Sequence, residues 1–444
     1  MTFKIRNILQ TIWSFRIKKL ITFLIIFGVI FSLLQIYLFL DDDNDEEDDD
    51  DEDDGNRNIP KDTAVILWWT PFGTENKIRK CEKHSCYFTN NRVYKNHSNL
   101  KGVLFYASNL KIYDLPIPRG VDVRWALLHE ESPRNCLFLT NYDALSLFNY
   151  SSTFSRYSDV PLTLMYLTNI KHLTDTKYYR SVEEKNKLID QGLASVVYIQ
   201  SNCDTVNDRD SYISELMKYI KIDSYGSCLN NKKLPDNLKY NYIDNLDSHE
   251  FKMFVGQYKF TLAFENAVCH DYISEKLWRP LVVGSVPIYY GSPSFKDWLP
   301  NNHSAISVND FSGPKQLAEF INYLSINDDQ YKEYLSHKLL KNSIKNSKII
   351  NKFIKKSEII FYDYVKLFEC SVCEKLYDNK YQTLNIDHYN CPKPKSIFNN
   401  NTVLKNWWID SWNYEKCLAK LMHKYVLNNS SINYDKFNND KQKC

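Results

Sequence analysis

Residues 258–291 read YKFTLAFENAVCHDYISEKLWRPLVVGSVPIYYG, and this stretch confines the chain to a small set of folds. Residues 258–264 are apolar and aromatic enough for a buried strand, and Glu265 and Asn266 interrupt the pattern where that strand should end. The spacing then predicts a helix over 274–283, stopped by Gly284, and a second strand over 286–290. Two strands joined through a helix form a βαβ unit, which requires a parallel sheet with helices packed on it. The predicted class is α/β. In such sheets ligands occupy the crevice beyond the carboxyl ends of the strands. Glu265, Asn266, Tyr272, Glu275 and Lys276 gather at that end, and the free N–H groups of the helix's first turn point the same way.

The N-terminus predicts a membrane topology. Residues 1–19 carry five basic residues and no acidic one, and residues 20–40 form an uncharged apolar run of 21, long enough to cross a bilayer. No small-residue cleavage site follows, so an uncleaved signal-anchor is expected in place of a removed signal peptide. The positive end would stay in the cytoplasm and everything beyond residue 40 would be lumenal, in the Golgi or endoplasmic reticulum. Residues 41–54 hold 13 acidic residues in 14. Such a block repels itself and buries nothing, so residues 41–58 read as an extended stem; a calcium loop would need mixed ligands and a turn glycine.

The tract also hides the charge of the rest. The chain has 56 basic and 54 acidic residues; setting aside the five basic residues of the tail and the 13 acidic ones of the stem leaves 51 against 41, a net charge of +10. That balance suits an anionic small ligand. No basic-aromatic motif or zinc spacing accompanies it, so nucleic acid is not an expected partner.

The lumenal length suits two domains, 59–190 and 191–361, followed by a Cys-, Trp- and Asn-rich tail, 362–444. Runs at 64–69, 102–107 and 124–128 read as buried parallel strands of the first domain, and 195–200 as the opening strand of the second. Helices are expected at 212–220, 314–324 and 330–338. Eleven cysteines in a lumenal chain point to disulfides. Local bridges are expected for Cys81 with Cys86, Cys203 with Cys228, and Cys370 with Cys373. Cys136, Cys269, Cys391, Cys417 and Cys444 cannot be paired from spacing, and the odd count leaves one over. Glycosylation sequons stand at Asn96, Asn149, Asn302, Asn400, Asn428 and Asn429. Asp208-Arg-Asp210 is a formal DxD, the pattern that holds a divalent cation on a diphosphate. Its place before a helix favours capping and dipole roles over a metal.

The wording of the βαβ unit goes further than its spacing. YKFTLAFEN, DYISEKLWRP and GSVPIYYGSP, in order within residues 258–293, resemble the donor-site signature of the α1,3-fucosyltransferase family, glycosyltransferase family 10. HEESP, STFSRYSD, IDSYGSCL, VPIYYGSPSFKDWLPNNHS and FECSVC resemble in particular the animal branch of fucosyltransferases 10 and 11. The resemblance implies a GT-B architecture of two facing Rossmann-like domains, the second holding GDP-fucose and the first on the acceptor side. It implies inverting transfer of L-fucose from GDP-β-L-fucose without a metal. For this branch the implied acceptor is a Ser or Thr of lumenal EMI-type modules. The alternatives are α1,3-fucosylation of N-acetylglucosamine on a glycan, or an inactive lumenal protein that keeps the donor pocket.

An inverting transfer needs a base for the acceptor hydroxyl and positive or donor groups at the departing diphosphate. The ESP triplet following the strand at 124–128 makes Glu131 the implied base, with Glu130 and His129 as alternatives; along a strand these alternate sides, so not all three can face one cleft. Lys276 is the first expected phosphate contact and Lys259 the second. Glu265, Asn266 and Glu275 are expected on ribose or fucose hydroxyls and Tyr272 on the nucleotide. Tyr225 is implied near the guanine. Arg156 is expected either to clamp phosphate or to pair with Asp159.

Overall fold

The computed structural model describes residues 59–72, 76–167, 169–239, 247–340, 344, 350, 364–378, 381–398, 407–429 and 432–444. The expected tail, signal-anchor and stem over residues 1–58 lie outside these; among the described residues no helix is long and apolar enough to cross a membrane.

Two parallel sheets organise residues 61–444. The first contains β1 (Ala64–Thr70), β2 (Lys77–Lys80), β3 (Ser85–Thr89), β4 (Leu100–Tyr106), β5 (Arg124–His129) and β6 (Tyr150–Thr153), in the order β2-β3-β1-β4-β5-β6. Only the edge hairpin β2–β3 is antiparallel. The second contains β7 (Val196–Gln200), β8 (Ile222–Gly226), β9 (Phe260–Phe264), β10 (Val286–Tyr290) and β11 (Ile306–Ser307), in the order β11-β10-β9-β7-β8, all parallel. The fold is α/β, as the βαβ stretch predicts.

Continuous apolar runs make these strands because both of their faces are covered. In β1 all seven residues, AVILWWT, are buried. Ile66, Trp68, Leu104, Ala126 and Leu128 pack against Phe368 and Val372 of the tail helix Tyr364–Tyr377. The other face carries the aromatic contact of Phe105 with Trp125, centroids 5.0 Å apart, and of Phe105 with Phe148 at 5.6 Å. On the second sheet, Tyr198, Leu262 and Ile288 pack against the helices Arg209–Leu216 and Pro314–Ile326. Val197, Ala263 and Tyr289 pack against Phe251, Phe254, Leu277 and Leu281 of the helices His249–Val255 and Glu275–Val283. Each large apolar side chain so enclosed contributes about 1.5–3 kcal/mol.

Two helices depart from expectation. The one expected at 212–220 runs Arg209–Leu216, and the one expected at 330–338 is broken into Asp328–Tyr334 and Ser336–Leu339.

The disulfides correct the local pairings. Cys81 is joined to Cys370 and Cys86 to Cys373, across 289 and 287 residues. Cys370 and Cys373 lie one turn apart on the same face of a helix, so both thiols point at the β2–β3 hairpin and not at each other. Glu369 reinforces the junction, accepting from Trp68 Nε1 at 2.8 Å and pairing with Arg79 at 2.7 Å. Cys203 is joined to Cys228, Cys269 to Cys391 and Cys417 to Cys444, while Cys136 is a free buried thiol.

One sequon is also corrected. Asn149 is 1% exposed; its Oδ1 accepts from Arg119 and from the Trp125 N–H, and its Nδ2 donates to the Gln382 carbonyl, which leaves no room for a glycan. Asn96, Asn302, Asn428 and Asn429 are exposed, and Asn400 lies outside the described residues.

Candidate active site

The carboxyl ends of the two sheets meet through their loops. Ser132, three residues beyond β5, donates to Asn266 Oδ1 at 2.6 Å, and Asn266 stands two residues beyond β9. Tyr272 Oη donates to the same oxygen at 2.9 Å. The loop bearing Glu131 and the loop opening the helix Glu275–Val283 therefore share one acceptor atom.

Ser274 caps that helix, its hydroxyl accepting from the Lys276 N–H. Glu265, fully buried, accepts from the Ser274 N–H at 2.8 Å and from its hydroxyl at 2.7 Å. Burial pushes the Glu265 carboxyl up, and the Lys276 charge opposes that. Gly291 makes the clamp possible: a Cβ there would lie 2.5 Å from Glu265 Cγ and 2.7 Å from Tyr289 Oη. Gly284 ends the helix, as its position predicts, in a left-handed conformation at φ 69°.

Lys276 Nζ sits 2.9 Å from Glu275 Oε1, 3.2 Å from Ser274 Oγ and 3.8 Å from Glu265 Oε2. Burial works against ionising Glu275, but Lys276 and Arg279 hold its carboxyl down at about 2. The cation thus faces two acceptor carboxylates, one of which, Glu275, is about a quarter exposed at 23%.

At the end of β5 the three candidate bases separate. His129 is fully buried and shares a 2.7 Å hydrogen bond with Tyr389. Glu130 accepts from Tyr106 Oη at 2.8 Å, and burial raises its carboxyl. Glu131 is exposed, with Oε2 accepting from Asn135 Nδ2 at 2.8 Å. Alternation along the strand end has turned one of the three inward and left one open to solvent. Tyr166, 41% exposed, lies within the field of Glu275, Glu265, Glu131 and Glu130; its partial burial, then these carboxylates, raises its phenol.

Two family models match this chain. "Glycosyltransferase family 10 (fucosyltransferase) C-term" covers residues 183–390, and "Fucosyltransferase, N-terminal" covers residues 60–165. The chain is 41% identical to GDP-fucose protein O-fucosyltransferase 3 of Homo sapiens, over 84% of this chain and 81% of that protein. The chain belongs to the family 10 fucosyltransferases. It is 45% identical to alpha-(1,3)-fucosyltransferase B of Drosophila melanogaster, over 76% of this chain and 77% of that protein. A solved alpha1,3-fucosyltransferase with GDP aligns at a TM-score of 0.41 and 17% identity, over 69% of this chain and 95% of that one.

In this family 10 fucosyltransferase the Ser132–Asn266 contact joins the loop of Glu131 to the segment that carries Glu265, Asn266, Tyr272, Glu275 and Lys276, whereas Lys259, Tyr225 and Arg156 are engaged in other contacts. Lys259 precedes β9, at the opposite end of the strand from Glu265. It is wholly buried, donates to the Ser325 carbonyl at 2.7 Å and pairs with Asp328 at 2.8 Å. Tyr225 points into the core, its hydroxyl 2.8 Å from that of Tyr258 and its ring edge-on to Phe254. Arg156 is committed neither to an open phosphate site nor to Asp159. Its Nη2 lies 2.6 Å from Asp271 and 2.9 Å from Asp297, and Asp159 pairs with Lys375 instead.

The Arg156–Asp271 pair is a second tie between the loops of the two sheets. Asp271, in a left-handed conformation at φ 61° and 2% exposed, also accepts from Trp298 Nε1 at 2.9 Å and Ser294 Oγ at 2.7 Å. Asp208 and Asp210 do not converge on a cation site. Asp208 stands at the N-cap position of the helix Arg209–Leu216 without a side-chain capping bond and accepts from Ser396 Oγ, whereas Asp210 accepts from Tyr198. Among the described residues the one group with metal-ligand spacing is Cys203, Asp210 and Cys228, whose sulfurs are spent in a disulfide. Three residues that sequence reasoning passed over hold the site together: Ser132, Asp271 and Tyr389. The first two lie inside quoted motifs; Tyr389 carries no local signal.

Proposed function

We propose that the chain is an inverting transferase of GT-B type that moves L-fucose from GDP-β-L-fucose to a Ser or Thr hydroxyl of a lumenal protein, EMI-type modules being the acceptor implied by its motifs. One observation carries the reading: the 2.6 Å contact of Ser132 with Asn266, which sets the loop of an exposed glutamate against the segment leading into a helix that bears a lysine. Protein acceptors are supported by relatives about 40% identical over most of the chain, which are GDP-fucose protein O-fucosyltransferases.

In this mechanism Glu131 takes the proton of the acceptor hydroxyl as its oxygen attacks the anomeric carbon from the face opposite GDP, which inverts the centre. Lys276 meets the charge growing on the departing diphosphate, assisted by the helix N-terminus. Glu275 leaves Lys276 as the diphosphate arrives and turns to hydroxyls of the sugar nucleotide; its partial exposure gives it room. Glu265 and Asn266 act on the donor by holding Ser274 and Tyr272 in place. No step calls for a metal, since Lys276 and the helix end supply the positive potential. The type II membrane topology and a Golgi or endoplasmic reticulum residence complete the reading, with residues 20–40 as the anchor.

The test offers the full chain labelled GDP-fucose in EDTA, with a folded EMI module and, in parallel, a glycopeptide ending in N-acetylglucosamine. Label on Ser or Thr of the module is expected. Label on the glycopeptide alone would replace the acceptor, and label on neither would leave a donor-binding protein.

A further inference from the structure

Residues 385–391 of the tail make one short turn, Ile386–Tyr389, capped by Asn385, and this turn touches both halves of the crevice. On one side Cys391 is bonded to Cys269, and the Asn390 carbonyl accepts from the His270 N–H at 3.0 Å. Those two residues open the loop that carries Asp271, Tyr272 and Ser274. On the other side Tyr389, with no exposed surface, meets His129 Nδ1 at 2.7 Å. His129 ends β5 and directly precedes Glu130 and Glu131.

The space between is filled by aromatic edges. Phe154 lies 5.3 Å from the Tyr389 ring and 5.2 Å from the Tyr272 ring, edge-on to both. Ser155 Oγ donates to the Asp387 carbonyl at 2.9 Å, holding the turn on the loop after β6. His129 Nε2 is buried without a partner, so the phenol of Tyr389 is the ring's one hydrogen-bonding contact among the described residues. Burial drives the imidazole down to about 3, so it is neutral and acts by orientation.

We propose that Tyr389 is a positioning residue for fucosyl transfer: through His129 it fixes the end of β5 that presents Glu131, and through Cys391–Cys269 it keeps the donor loop at a set distance from that end. This rests on the assignment of Glu131 and Lys276 made above. The turn is anchored covalently on the donor side, and on the acceptor side by Ser155 Oγ on the Asp387 carbonyl and by the buried phenol on His129. Of these, the phenol is the joint that reaches the strand end presenting Glu131. Reacting groups displaced by about 1 Å lose roughly a hundredfold in rate, so a joint this near the base acts on turnover before it acts on binding.

The experiment compares the full chain with Tyr389→Phe, which removes one oxygen and keeps the ring packing, and with the double variant Cys269→Ala/Cys391→Ala. Two rates are read: transfer to a protein acceptor, and acceptor-free hydrolysis of GDP-fucose. Tyr389→Phe is expected to lower kcat roughly tenfold with GDP affinity within about twofold of the parent. The double variant is expected to raise the KM for GDP-fucose roughly fivefold. Unchanged kcat in Tyr389→Phe in both assays would overturn the proposal, as would a fall in thermal stability and GDP affinity with no fall in kcat. If the parent hydrolyses GDP-fucose but modifies no protein, the acceptor reading fails, while Tyr389→Phe is still judged on hydrolysis.

Discussion

Glu265 spends both carboxylate oxygens on one residue, Ser274, taking its N–H at 2.8 Å and its hydroxyl at 2.7 Å. The strand end and the helix start of the βαβ unit are thereby one rigid piece. Glu265→Gln would turn one acceptor into a donor facing a donor, at a cost of about 1–3 kcal/mol. A lower melting temperature together with weaker GDP-fucose binding is expected, measured by calorimetry on the same preparation. Unchanged donor affinity would detach the clamp from the donor site.

Glu131→Gln is expected to keep donor binding and lose transfer by at least about a hundredfold, the scale of a general base. Steady-state kinetics with saturating GDP-fucose checks this. Near-normal turnover would move the base to Glu130, whose carboxyl is raised by burial and held by Tyr106.

Two lysines of the signature should respond differently. Lys276→Ala removes the cation beside Glu275, and GDP affinity is expected to fall roughly tenfold or more with turnover following. Lys259→Ala should leave GDP affinity unchanged within about twofold, because its ammonium lies at the far end of β9 on Ser325 and Asp328. Its loss is expected in stability, by about 1–3 kcal/mol, since Asp328 is only partly buried. Equal effects on binding would contradict this division.

Asp271→Asn tests the tie between the sheet loops. Burial alone would raise the Asp271 carboxyl, but hydrogen bonds led by Arg156 outweigh it and hold the group below its ordinary value. A depressed carboxyl contributes stability that is complete above its unfolded value, near 3.8, and is lost as pH falls through the folded value. The melting-temperature gap between the parent and Asp271→Asn is therefore expected to stay constant from about pH 7 to 5 and to shrink below about pH 4. A gap that closes already between pH 7 and 5 would assign the stabilisation to another group.

Much of the fold is legible because each buried strand is a short uninterrupted apolar run; β1, β5, β7 and β10 fall within a residue or two of where such runs predict. The crevice is legible for the same reason, since strand ends place Glu131, Glu265 and Asn266 without any long-range information. Lys259 stands before β9, at the end away from Glu265, a position strand polarity alone gives but the motif match does not weigh. Tyr225 faces Phe254 and Tyr258, a side of its strand that the motif does not specify. Arg156 with Asp271, 115 residues apart, and His129 with Tyr389, 260 apart, lie beyond any local pattern. Cys370 and Cys373 show the opposite hazard: close spacing suggested a bridge, and helical geometry gave each a distant partner.

The bonds Cys81–Cys370 and Cys86–Cys373 also set an order of events at the ribosome. Once the β2–β3 hairpin has emerged, nearly three hundred further residues must be made before its partners exist, roughly 15–60 s at ordinary synthesis rates. Throughout that interval two thiols of the first sheet have no native partner, and the face of β1 that awaits Phe368 and Val372 has no cover. The first half of this enzyme is thus made early and completed last, its sheet and two thiols waiting for the helix Tyr364–Tyr377.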